Sequence, residues 1–106
     1  MEVRVLYTTA GSAEEAYRIG RHLVENGLAA CVNIFAGMHS LYLWDGELQD
    51  DAEVAMICKT TAERAGQAAE AIREAHSYDC PCVLSFPVVG GNPGFLEWIA
   101  AQVGSA

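Results

Sequence analysis

The chain has 106 residues, 52% hydrophobic and 19% charged, with 14 acidic against 6 lysine and arginine side chains and a net charge of −8. That length reads as one domain over residues 1–106, and that apolar share builds a core and excludes a disordered chain. The acid excess argues against nucleic acid and anionic membrane surfaces as partners, since both need basic groups to neutralise phosphate.

Val3 to Thr8 is a short, β-branched-rich run and reads as a strand, broken at Thr9-Ala10-Gly11. Ser12 then caps a helix, with Glu15 three residues on as its capping-box partner. Ala16, Ile19, Gly20, Leu23 and Val24 follow the helical spacing of an apolar stripe, and Asn26-Gly27 ends it. A second strand runs from about Ala29 toward Trp44, with a bend near Gly37. Asp45-Gly46 signals a two-residue turn in which both residues tolerate positive φ, so the return strand through Val54-Ala55-Met56-Ile57-Cys58 places Cys58 near Asn33. The arms exceed the usual strand of about 5–6 residues, so the hairpin should project from the domain and carry Tyr42, Leu43 and Trp44 toward a second chain. Thr60 or Thr61 caps the next helix, with Glu63 as box partner for Thr60 and Ala65, Ala68, Ala69 and Ile72 as its small apolar face. A loop at His76–Cys80 leads to a last strand, about Cys82 to Val88. Asn92 caps a final helix with Pro93 at its first position and Phe95, Leu96, Ile99 and Val103 as its apolar face.

The order is β-α-β-β-α-β-α. The expected class is α+β, a ferredoxin-like split β-α-β sandwich with a long central hairpin and an extra C-terminal helix. Such a sheet has helices on one face, and the nearly unbroken apolar run Ala30 to Ala36 argues for cover on both, most economically by self-association. The opening Met1-Glu2-Val3-Arg4-Val5-Leu6-Tyr7 lacks the basic start and long apolar run of a secretory signal, and no stretch approaches the roughly 20 apolar residues of a membrane span. The expectation is a cytoplasmic protein in which Cys31, Cys58, Cys80 and Cys82 are free thiols.

Several spaced segments in one order carry a resemblance. They are Ala29-Ala30-Cys31-Val32-Asn33-Ile34, Ser40-x-Tyr42-x-Trp44-x-Gly46, Glu53, Lys59-Thr60, His76-x-Tyr78-x-x-Pro81, and Gly91-Asn92-Pro93 with Trp98. Through them the chain resembles the CutA divalent-cation tolerance family over nearly its whole length. The resemblance implies a ferredoxin-like subunit assembled as a homotrimer and a link to tolerance of copper and other divalent metals. It also implies an architecture similar to PII-like signalling trimers, which bind small molecules in clefts between subunits. The loop reads Ser77-Tyr78-Asp79-Cys80-Pro81-Cys82 where the family more often has Pro-Tyr-Glu-x-Pro-Glu, and Glu47 stands where a basic residue is common. Both changes alter charge and ligand type near the cleft that the resemblance implies.

The candidate metal ligands are Cys31 and His76, a thiol and an imidazole suited to a soft or borderline divalent ion such as copper. A thiol inside an apolar strand also packs as a small hydrophobe, and a loop histidine also serves as a plain hydrogen-bonding residue. Cys80 and Cys82 lack zinc-ribbon spacing, and two donors separated by one proline rarely converge on one ion. The candidate ligand cleft is Tyr42, Trp44, Glu53, Lys59 and Tyr78; Lys59 with Glu53 also reads as a strand ion pair. Gly90-Gly91-Asn92-Pro93 reads as a turn and cap, since it lacks a phosphate loop's lysine. No nucleophile elbow, His-Glu-x-x-His helix or dinucleotide fingerprint is present, and nothing in the sequence sets Cys31 against His76 as a catalytic pair, so the chain reads as a non-enzyme. Two functions stay open: a cation-tolerance trimer binding a metal or small ligand between subunits, and a structural or PII-like signalling trimer with only indirect effects on metal tolerance.

Overall fold

The computed structural model describes residues 2–104; Met1, Ser105 and Ala106, part of the expected 1–106 domain, lie outside the described residues. The elements are β1 (Val3–Ala10), α1 (Ala13–Glu25), β2 (Cys31–Trp44), β3 (Glu47–Thr61), α2 (Ala62–Ala75), β4 (Val83–Val88) and α3 (Pro93–Gln102). The strands form one antiparallel sheet in the order β2-β3-β1-β4, the α+β ferredoxin-like arrangement expected from the element order.

Ser12 caps α1 as its side chain predicts, accepting from the Glu15 amide at 3.1 Å, and Ala16, Ile19, Gly20 and Leu23 form its buried face. Gly20 is on that face because a Cβ there would meet the Val32 side chain at 3.1 Å. Val24, counted with the stripe, stands exposed at its edge. Ala68 and Ile72 of α2 complete a core with Leu6, Met56 and Cys58 on the helix-covered face of the sheet.

Two local expectations are corrected, the capping box at Thr60 and the partner of Cys58. Thr61, not Thr60, is the N-cap of α2, and its side chain makes no capping bond. Thr60 is fully buried and donates its hydroxyl to the Leu28 carbonyl at 2.6 Å, so tertiary contact took the group that a capping box would need. Cys58 pairs with Val32 rather than Asn33, because the bulge between Phe35 and Met38, at Gly37 with φ 82°, shifts the register by one residue. Asp45 and Gly46 have φ of 50° and 78°, as the predicted turn requires.

α3 is more than an appendage. Ile99 and Val103, with Leu96, pack on Val3, Ala30 and Val88, covering one end of the sheet face opposite α1 and α2. Phe95, expected on that buried face, is instead half exposed and stacked on Trp98 with ring centroids 5.6 Å apart. The rest of that face is open, with Phe35, Leu84 and Phe86 each about half exposed. β2 and β3 run 14 and 15 residues against 8 for β1, so the hairpin outruns the sheet and draws the molecule out to 45 × 25 × 21 Å.

Candidate functional site

Beyond the bulge, Met38, Ser40, Tyr42 and Trp44 lie opposite Glu53, Asp51, Gln49 and Glu47. Alternation along a strand puts these pairs on one side, the face opposite α1 and α2. The 76–82 segment closes over that face, and the two together enclose a cleft of about 720 Å³ lined by Tyr42, Trp44, Asp51, Glu53, Tyr78 and Asp79. Thr9, Gln49, Cys80 and Cys82 complete the lining.

The loop is tied down by two buried groups. His76 is the C-cap of α2, with its side chain fully buried. Its Nδ1 accepts from the Tyr78 amide at 3.1 Å, so Nε2 carries the proton and donates it to the Thr9 carbonyl at 2.6 Å. The ring also contacts the Tyr78 ring at 4.6 Å between centroids. Glu15 reaches from α1 to accept from the Ser77 amide at 2.7 Å, the Ser77 hydroxyl at 3.0 Å and the Gly11 amide at 3.4 Å. Burial alone would raise its pKa, but the donations from Ser77 and Gly11 and the nearby His76 outweigh burial and leave it below the usual glutamate value. Gly11 leaves space for the cleft wall: a Cβ there would meet the Tyr78 hydroxyl at 3.2 Å.

The cleft itself is anionic with protonated phenols at its walls. Tyr78 donates to Glu53 at 2.9 Å, and Tyr42 donates to Asp51. Partial burial first, then the Glu53 bond and charge, push Tyr78 up to about 12. The bond to Asp51, followed by burial and the charges of Asp51 and Glu53, raises Tyr42. Burial and then Glu53 raise the Cys82 thiol, the opposite of what activates a nucleophilic cysteine. Such a cleft suits a cation or a ligand offering hydrogen-bond donors to carboxylates.

The sequence-derived residues therefore separate into three places. Tyr42, Trp44, Glu53 and Tyr78 come together in the cleft. His76 stands behind it with both ring nitrogens occupied. Cys31 and Lys59 pair with each other at the other end of the sheet, where Lys59 Nζ donates to Asn33 Oδ1 at 2.7 Å and lies 5.5 Å from the Phe95 ring centroid. Six strand residues, about 20 Å, separate Lys59 from Glu53, so the strand ion pair read from sequence does not form. Among the described residues no group of three or more His, Cys, Asp and Glu is placed to hold an ion. Asp51 was legible once the turn was set, since counting back from Trp44 opposite Glu47 puts it beside Tyr42 on the same face. Glu15 gave no such signal, because its loop partner Ser77 is 62 residues away.

The profile of the CutA1 divalent ion tolerance protein matches residues 4–102. The chain belongs to the CutA1 divalent ion tolerance family. It is 43% identical over 98 residues to the divalent-cation tolerance protein CutA of Archaeoglobus fulgidus, covering 92% of this chain and 95% of that one. It is 39% identical over 95 residues to the chloroplastic Protein CutA 1 of Oryza sativa, covering 90% of this chain but 54% of that longer protein. The crystal structure of CutA1 from Oryza sativa superposes with a TM-score of 0.97 at 35% identity, covering 100% of this chain and 97% of that one. The CutA1 fold thus accounts for the whole described chain, including the projecting hairpin and α3. No helix among the described residues is long and apolar enough to cross a membrane.

Proposed function

We propose that this CutA1-family chain is a non-enzymatic, cytoplasmic homotrimer that serves divalent-cation tolerance by binding a cation or small cationic ligand in the cleft between hairpin and loop. The observation that carries the reading is the cleft itself. Asp51, Glu53 and Asp79 supply negative charge, while Tyr42 and Tyr78 hold two of those carboxylates in fixed orientation. The open sheet face supports assembly, since Phe35, Leu84 and Phe86 on it, and Leu43 and Trp44 at the hairpin tip, lack cover within one chain. Copper is the ion that the family resemblance suggests. An ion held jointly by Cys31 and His76 would need two subunits and the surrender of the Thr9 bond, because within one chain the two residues occupy opposite ends of the sheet.

The test is light scattering joined to calorimetry with zinc, which does not oxidise thiols, followed by copper under anaerobic conditions. The expected mass is three times that of the chain. Saturable binding should weaken in Glu53→Gln, and His76→Ala and Cys31→Ser show whether those two residues contribute. A monomeric or dimeric mass ends the assembly reading. Absence of saturable binding by trimeric wild type ends the cleft reading in favour of a trimer with indirect effects.

A further inference from the structure

The cleft carries its polar groups in a row, at a spacing that suits two charges rather than one. Asp51 and Glu53 both line it and stand two residues apart on one face of β3, so their Cα atoms are about 6.6–6.8 Å apart. Thr9 extends the row: it lies opposite Ala55, the next position along that face, and also lines the cleft. Each carboxylate is anchored at one oxygen. Tyr42 donates to Oδ2 of Asp51 and Tyr78 to Oε2 of Glu53, which leaves Oδ1 and Oε1 to accept from a ligand. The two phenols come from different segments, β2 and the loop after α2, so they hold the carboxylates as separate stations.

Thr9 points to a ligand independently of the acids. It is only 8% exposed, its carbonyl is taken by His76, and its hydroxyl meets no partner among the described residues. Strand alternation puts Leu6 under the helices and Val3 on the opposite face, so Thr9 projects with Val3 to the cleft side. A buried hydroxyl without a partner costs free energy, and a donor entering the cleft relieves that cost.

We infer that the cleft binds a linear diammonium ligand, an alkane-α,ω-diamine or a polyamine built from such units. With ordinary C–C bonds, about four or five methylenes hold two ammonium groups at the spacing of the row. One ammonium, with three donors, bonds Glu53 and the Thr9 hydroxyl, and the other bonds Asp51. Tyr42, Trp44 and Tyr78 flank the row, cover the methylenes and attract alkylammonium groups through their ring faces. The cavity of about 720 Å³ lies within the usual range of small-molecule pockets.

The inference rests on the reading of the cleft as a cation site and names the class of cation. The probe is putrescine, the four-carbon diamine, titrated calorimetrically into the full chain as it assembles in solution. Butylamine is the single-charge control, and zinc is titrated in parallel. Wild type should bind one diamine per chain saturably, about tenfold or more tighter than butylamine. Asp51→Asn and Glu53→Gln should each weaken the diamine about tenfold or more. Thr9→Val should weaken it about threefold, while the melting temperature of the unliganded chain stays level or rises, since valine removes an unpaired hydroxyl. Light scattering and circular dichroism check that each variant keeps the wild-type mass and fold. Equal affinity for butylamine, or wild-type diamine affinity in both carboxylate variants, overturns the inference. Wild-type diamine affinity in Thr9→Val overturns the three-group row. Zinc saturation without diamine binding overturns the inference and leaves the divalent reading standing. Diamine saturation without zinc binding supports it and strikes the divalent reading alone. Silence of both ends the cleft reading as a whole.

Discussion

The two ends of one hairpin are built from the same alternation and meet opposite fates. At its base, Met56 and Cys58 are fully buried under α1 and α2, and on the other face Ala30 lies against Ile99 and Val103 of α3. At its tip, Trp44, Leu43 and Leu48 are 68%, 69% and 69% exposed, with apolar side chains on both faces and no element over either. Alternation decides which face a side chain takes; it does not supply the layer that covers the face. The base is complete within one chain, and the tip is complete only if another chain supplies the cover.

The sharpest way to break this contrast is Trp44→Ala. If sister subunits bury the tip, the truncation should cost about 3–5 kcal/mol per chain, lower the melting temperature and weaken assembly by light scattering. An unchanged mass and melting temperature would leave the tip as free surface. At the base, Met56→Ala should cost about 2–5 kcal/mol in denaturant unfolding whether or not the chain assembles, because its cover is intramolecular. Equal sensitivity of both variants to protein concentration would erase the distinction.

Smaller effects sharpen how the base holds the cleft. Glu15→Gln removes a charge that accepts from Ser77 and Gly11, and hydrogen bonds to a charged group are worth about 1.5–3 kcal/mol. The Glu15 value is depressed from 4.5, so its contribution is present above that value and is lost as pH falls through the lower folded value. Melting temperature followed from neutral to acid pH should therefore slope less in the glutamine variant, and identical slopes would remove Glu15 from the clamp. Tyr78→Phe should cost about 0.5–1.5 kcal/mol by losing the bond to Glu53. The shift of Tyr78 from 10.0 to about 12 means its contribution is full below 10 and fades as pH rises toward about 12. Ultraviolet titration of wild type against Tyr78→Phe should show one phenol ionising late, and a difference spectrum centred near 10 would contradict the hydrogen bond.

Much of this protein is readable without coordinates. The Ser12 cap, the Gly27 stop, the Asp45-Gly46 turn and the Asn92-Pro93 start act through a few neighbouring residues, and each stands where the sequence implies. The ferredoxin-like order follows from them, and the turn alone brings Tyr42 and Asp51 to one face. What tertiary structure decided lies where distant segments compete for the same group. Thr60 left its capping role to reach the Leu28 carbonyl, and one bulge residue moved Cys58 from Asn33 to Val32. His76 gave both nitrogens to Tyr78 and Thr9, and Glu15 became the anchor of a loop remote in sequence. Hydrogen-bonding groups buried at a junction take whichever partner the packed elements bring within reach, and no local pattern records that choice.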